Sequence, residues 1–414
     1  MKHIRKLYSI LFVLTVALST SCSEDSNLSY EDLEDTDIYE TVSLTFNIGL
    51  PEEEGMETRA YASEMMGYED LFDTMVCQVF DAKGNRVIIN PRPVESEYSD
   101  PKDYEVALNL WKTYGGEEGS SVKEEQIRIK NFKYKDNQRH ETPTPLTLKL
   151  IKGLEYTVCL WAQRGDREYD ANQNLISTDH EIGDDFYQTL DESGHYSLKN
   201  VLILNNYEGN EDKPFLNNDF NREAFCFSYK IIPYASSEIH SFQLRRPFAQ
   251  INFGISDSEL LSLTGEQSVT KDLLGKIETG CKVFGTATNY NVSNGVSSFE
   301  ALGDSGDTGH NSFNFSMNYV PTYLNSNYVL KIAERDPTAG STSYNWLSMC
   351  FVLPPNQENP GVATYVPLEL LIDFPTPSGK MKKLIKFDNI PLLSNYRSNI
   401  ILDKNMILKG ETIE

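Results

Sequence analysis

Residues 146–163 read LTLKLIKGLEYTVCLWAQ. Leu146, Leu148 and Leu150 alternate with Thr147 and Lys149, a period of two that lines the leucines along one face of a strand. Lys152-Gly153 then supplies a turn, since glycine reaches positive φ without a Cβ clash. Tyr156 to Trp161 follows as an apolar run of the kind a core strand needs.

The same punctuation continues outward in both directions. Towards the N-terminus, 75–80 reads as a strand, the Asp81-Ala82-Lys83-Gly84-Asn85 stretch as a turn, and 86–89 as a short returning strand. Towards the C-terminus, strands are expected at 196–204 and 225–231, then at 240–246, 248–255, 278–286, 313–320, 327–333, 347–353, 364–374, 382–388 and 397–408. Helix is expected only within 256–277, where Leu260, Leu261 and Leu263 cluster behind a Ser/Asp start and Gly265 interrupts. Short strands at regular spacing imply an all-β chain built of β-sandwiches, because a parallel α/β sheet would need a helix after each strand.

With 414 residues, 39% hydrophobic and 11% aromatic, the chain can bury two cores, so two tandem domains are expected. The stretch 233–238 reads as the linker, giving domains at 41–236 and 237–414. A net charge of -24 without a basic stripe repels phosphate backbones, which excludes nucleic acid as a partner.

The N-terminus carries its own instructions. Lys2, Arg5 and Lys6 precede the apolar run Leu7 to Leu18, which ends in Ser19-Thr20-Ser21-Cys22 and Ser23-Glu24-Asp25. A positive start, a short apolar run and small residues describe a secretory signal over 1–21. The run is too short to remain as a membrane span. A cysteine directly after the small residues resembles a bacterial lipobox, which makes Cys22 the acylated residue and outer-membrane lipid its partner. Residues 22–40 are an acidic, self-repelling tether. Within the acidic leader one segment differs: Val42, Leu44, Phe46 and Ile48 alternate with polar residues and define the face of a first strand over 41–49. It is followed by a polar stretch to Thr58-Arg59-Ala60, exposed chain in which Arg59 is the obvious protease target.

Catalytic chemistry finds no foothold. His3, His140, His180, His195, His240 and His310 are scattered, and neither a metallohydrolase motif nor a nucleophile elbow nor a phosphate loop occurs, so no enzyme, metal or cofactor is expected. Asp170-Ala171-Asn172-Gln173-Asn174 with Glu181 copies calcium-loop spacing, but Leu175 stands where the sharp turn needs glycine. Asp184-Asp185 and Asp191-Glu192 read as solvated loop charge. Beyond Cys22, the cysteines Cys77, Cys159, Cys226, Cys281 and Cys350 lie singly in apolar runs and read as buried thiols.

Several blocks together resemble the fimbrillin family, the lipoprotein-derived pilus subunits of Gram-negative anaerobes, and especially its two-domain members. They are VCQVFDAKGN over 76–85, LTLKLIKGLEYTVCLWAQ over 146–163, Glu223-Ala224-Phe225, LRRPFAQINF over 244–253, and Ile390-Pro391 with NYRSNI over 395–400. The resemblance implies transthyretin-like β-sandwiches and a role in adhesion at the cell surface. It also implies cleavage between Arg59 and Ala60, loss of the strand carrying Val42, Leu44, Phe46 and Ile48, and its replacement by a strand from another pilus subunit. Ile400, Leu402, Met406 and Leu408 are the candidate C-terminal donor strand. The alternative is a surface lipoprotein that stays uncut and binds glycan or host protein through polar, Tyr-containing loops over 163–223.

Overall fold

The computed structural model describes residues 41–49, 74–129, 134–135, 138–139, 144–163, 168–169, 175–177, 187–189, 197–203, 224–234, 237–287, 289–298, 313–317, 329–333, 341–355 and 362–413. The expected signal, tether and cleavable connector lie outside these residues.

The first sandwich uses strands β1 (Thr41–Gly49), β2 (Thr74–Asp81), β3 (Gln126–Ile129), β4 (Thr144–Ile151), β5 (Tyr156–Gln163), β6 (Ala224–Ile231) and β7 (Ser237–Gln243). They form a three-stranded sheet in the order β7-β1-β4 and a four-stranded sheet in the order β6-β5-β2-β3. Leu146, Leu148 and Leu150 of β4 enter one core with Met75, Cys77 and Val79 of β2 and Val158 and Leu160 of β5. Alternation in β4 thus marks a strand with one wet face, Thr147 and Lys149 being exposed.

The second sandwich uses β8 (Ala249–Ile255), β9 (Glu278–Val283), β10 (Phe313–Met317), β11 (Val329–Ala333), β12 (Ser341–Val352), β13 (Thr364–Thr376), β14 (Gly379–Leu392), β15 (Arg397–Leu402) and β16 (Glu411–Thr412). Its sheets run β11-β12-β8-β15 and β10-β9-β13-β14-β16. In β13, Val366, Leu368, Leu370, Ile372 and Phe374 point inward while Glu369 and Asp373 reach Lys386 and Lys380 of β14. β15 runs parallel to β8, and its register is marked by buried polar pairs: Arg397 donates to Gln250 (3.1 Å) and Asn252 donates to Asn399 (2.8 Å). A one-residue slip would break both.

The two sandwiches share side chains. Val76 and Phe80 of β2, Cys159 and Trp161 of β5 and Cys226 of β6 point away from the first core and join the core of the second sandwich. The central strands of this sheet, β2 and β5, are therefore covered on both faces, which is why 156–161 is apolar without alternation. A small sheet seals this contact, pairing Val201 and Leu202 from the first half with Tyr290 and Asn289 from the second.

Several expectations change. Residues 86–89 form a single bridge, Phe80 with Arg86, because Ile89 and Asn90 donate instead to the carbonyl of Glu124. Residues 237–243, assigned from sequence to the second domain, are β7 and pair with β1 in the first sandwich. A helix absent from the sequence reading, α1 (Pro101–Thr113), is capped by the Asp100 carboxylate on the Lys102 N–H and buries only Trp111. The helices α2 (Asp257–Thr264) and α3 (Lys271–Leu274) occupy the stretch where helix was expected, with Gly265 ending α2 at φ 75°. The expected strand over 397–408 stops at Leu402. Asp403 accepts from the Met406 N–H and starts helix α4 (Lys404–Lys409).

Candidate strand-exchange groove

β1 is the middle strand of its sheet. It runs antiparallel to β4, with Leu44 opposite Leu148 and Phe46 opposite Leu146, and parallel to β7, with Phe46 opposite His240. Both of its edges are consumed, so its backbone donors and acceptors are split between two neighbours that do not pair with each other.

The side chains add the second hold. Leu44 and Phe46 are 0% exposed and belong to the same core as Leu146, Leu148, Leu150 and Leu244. Burying residues of this size contributes about 1.5–3 kcal/mol each relative to exposure. Ser43 and Thr45 face the other way and are only half-buried. The Thr45 and Thr147 hydroxyls lie 3.3 Å apart, joining β1 to β4 on that outer face. On the β7 side the Phe46 and His240 rings stack with centroids 5.7 Å apart.

Taking β1 out leaves a slot with a parallel wall at β7, an antiparallel wall at β4, and two apolar depressions beneath it. Of the residues picked from sequence for this strand, the structure brings Leu44 and Phe46 into the core; Val42 and Ile48 lie at the outer register positions opposite Leu150 and Thr144. The strand expected over 240–246 overlaps β7, but its place beside β1 was not legible, since SEIHSFQ lacks apolar alternation and leaves Ile239 71% exposed. Cys22, Arg59 and Ala60 lie outside the described residues.

At the other end of the chain, Ile400 and Leu402 sit in β15 against the second core, with Leu402 1% exposed. Met406 and Leu408, expected to continue that strand, are on helix α4, where Ile407 is the buried residue. The four residues therefore do not form one strand.

Cys77, Cys159, Cys226, Cys281 and Cys350 are all buried, free thiols. Burial pushes Cys159 and Cys226 up to about 12, which removes them as nucleophiles at neutral pH. Among the described residues no group of three His, Cys, Asp or Glu is placed to hold a metal ion. Of the calcium-like stretch, Leu175 lies on a short strand, Leu175–Ser177, paired with Glu168–Tyr169; Asp170 to Asn174 and Glu181 lie outside the described residues.

The profile described as "Family of unknown function (DUF6562)" matches residues 35–401. The chain belongs to DUF6562. No curated protein matches this DUF6562 chain. Among solved structures it is similar to a fimbrial assembly protein from Parabacteroides distasonis, at 9% identity and TM-score 0.35 over 91% of this chain and 98% of that one. It is similar to the fimbrial anchor protein Mfa2 from Porphyromonas gingivalis at 8% identity and TM-score 0.33, over 84% and 82% of the two chains. A candidate adhesin from Bacteroides ovatus gives 8% identity and TM-score 0.38 over 89% of each chain.

Proposed function

We propose that this chain is a fimbrial subunit, exported as a lipoprotein on Cys22 and assembled at the cell surface by exchanging its first strand for one from another subunit. The observation that carries the reading is the position of β1 between β4 and β7, with Leu44 and Phe46 fully buried. Cleavage after Arg59, which falls between β1 and β2 in sequence, leaves β1 held by its two ladders and its buried side chains alone. Such a strand stays seated until a competitor with equal pairing arrives. While it is seated, the edges of β4 and β7 are protected from indiscriminate pairing. Once it leaves, a neighbour's strand gains affinity from the ladders and register from the two depressions. The cell-surface location, the lipid anchor and adhesion follow from this reading. So does the tandem arrangement, with the first sandwich ending after β7 and the second beginning at β8.

N-terminal sequencing of protein recovered from assembled surface material tests it. An N-terminus at Ala60 is expected. Assembled material whose chains all begin at acylated Cys22 would overturn the exchange step.

A further inference from the structure

A cleft of about 620 Å³ opens in the second sandwich, between the start of α2, the start of α3 and the first residues of β12. Its origin is a strand overhang. β8 ends at Ile255, opposite Asn345, and turns into α2 at Ser256, so Tyr344 and Ser343 extend beyond the reach of β8. The volume falls within the roughly 300–1,000 Å³ of small-ligand sites.

The lining is chemically mixed. Asn345 is 8% exposed and spends its amide N–H groups on the Ile255 carbonyl (3.2 Å) and the Asp257 carboxylate (2.7 Å). That leaves the Asn345 Oδ1 to accept and ties two planar polar groups together, the buried Asn345 and the exposed Asp257. Lys271 is exposed at the rim and has no ion pair among the described residues, while Ser343 adds an exposed hydroxyl. The Tyr344 ring, partly buried against the core, supplies a wall with Val269 and Leu274.

A metal ion would want more carboxylates, and a phosphate would meet Asp257. An aliphatic ligand would displace water from the Asn345 Oδ1 and the Asp257 carboxylate without replacing its hydrogen bonds. A polyhydroxylated ring satisfies all of them: vicinal hydroxyls donate to Asp257 and Asn345 Oδ1 and accept from Lys271, and the ring's C–H face lies on Tyr344. We infer that this cleft is a binding site for a neutral glycan. The inference does not depend on strand exchange, since the cleft lies wholly in the second sandwich.

The full-length chain on an array of neutral host and bacterial oligosaccharides tests it, with titration of the best hit by calorimetry. Binding is expected, weakened at least tenfold by Asp257→Asn and by Lys271→Ala, both at exposed positions and checked for unchanged circular dichroism. Tyr344→Phe should bind as the parent does and Tyr344→Ala should not. No binding to any glycan, or binding indifferent to both Asp257→Asn and Lys271→Ala, overturns the assignment; so does binding confined to acidic glycans.

Discussion

Phe46 and His240 face each other across the parallel β1–β7 pair, their rings 5.7 Å apart and inclined by 25°. Phe46 thereby touches both the core beneath β1 and the strand's parallel neighbour, β7. Truncating it removes a fully buried ring and the stack together. Phe46→Ala should cost about 3–5 kcal/mol, the range for buried aromatic truncations, read as a fall in the urea midpoint. Thr45→Ala, which removes only the 3.3 Å contact on the outer face, should cost about 1 kcal/mol or less. Equal losses from the two variants would mean that β1 is not anchored through its inner face.

Deleting residues 41–49 exposes the edges of β4 and β7 together with the depressions that Leu44 and Phe46 fill. The truncated protein should be unstable or associate on size exclusion where the full chain stays monomeric. A synthetic TVSLTFNIG peptide should restore the monomer, and the same peptide with Leu44→Ser and Phe46→Ser should not. A stable, soluble monomer without residues 41–49 would count against the proposed groove.

The buried thiols predict an alkaline limit. Burial raises Cys159 and Cys226 to about 12, while in the unfolded chain a thiol titrates near 8.5. Above that value the unfolded state binds fewer protons than the folded one, so stability is fully present below about pH 8.5 and declines as pH rises towards 12. Replacing both by alanine should flatten this slope in urea titrations at pH 8 to 10.5. The five buried thiols should also resist a thiol reagent in the native protein and react once it is unfolded.

How legible each element was depended on whether its partners were near in sequence. The β4 leucines and the β5 apolar run, Tyr156 to Trp161, state their own burial, and Gly153 marks the turn between them at φ 82°. The first strand was visible because Leu44 and Phe46 alternate inside an otherwise acidic leader. What β1 pairs with was not. β7 shows no apolar alternation, and its attachment rests on a parallel ladder to residues nearly two hundred positions away. Helix α1 escaped because its exposed face carries Val106 and Leu110, which blur the amphipathic pattern, although Asp100-Pro101 is a helix-start signal. The strand over-extended to 408 failed at Asp403, whose capping role depends on backbone that only the fold positions. The cleft beside Asn345 had no sequence signature at all, because it arises from two strands ending at different heights.

Trp161 decides whether the two sandwiches behave as one. Its ring is 1% exposed, donates through Nε1 to Gln163 (2.8 Å), and meets Tyr187 edge-on at 5.2 Å; Tyr187 in turn lies 5.7 Å from Phe248 at the start of the second sandwich. A single side chain thus reaches from β5 of the first sandwich into the core of the second. Trp161→Ala opens a cavity at this junction and strands the buried Gln163 acceptor, so it should cost about 3–5 kcal/mol. Because the core is continuous, the parent should unfold in one calorimetric transition, and the variant should lower it as a whole or split it into two. If the parent already shows two independent transitions and Trp161→Ala moves only one of them, the shared core does not couple the sandwiches.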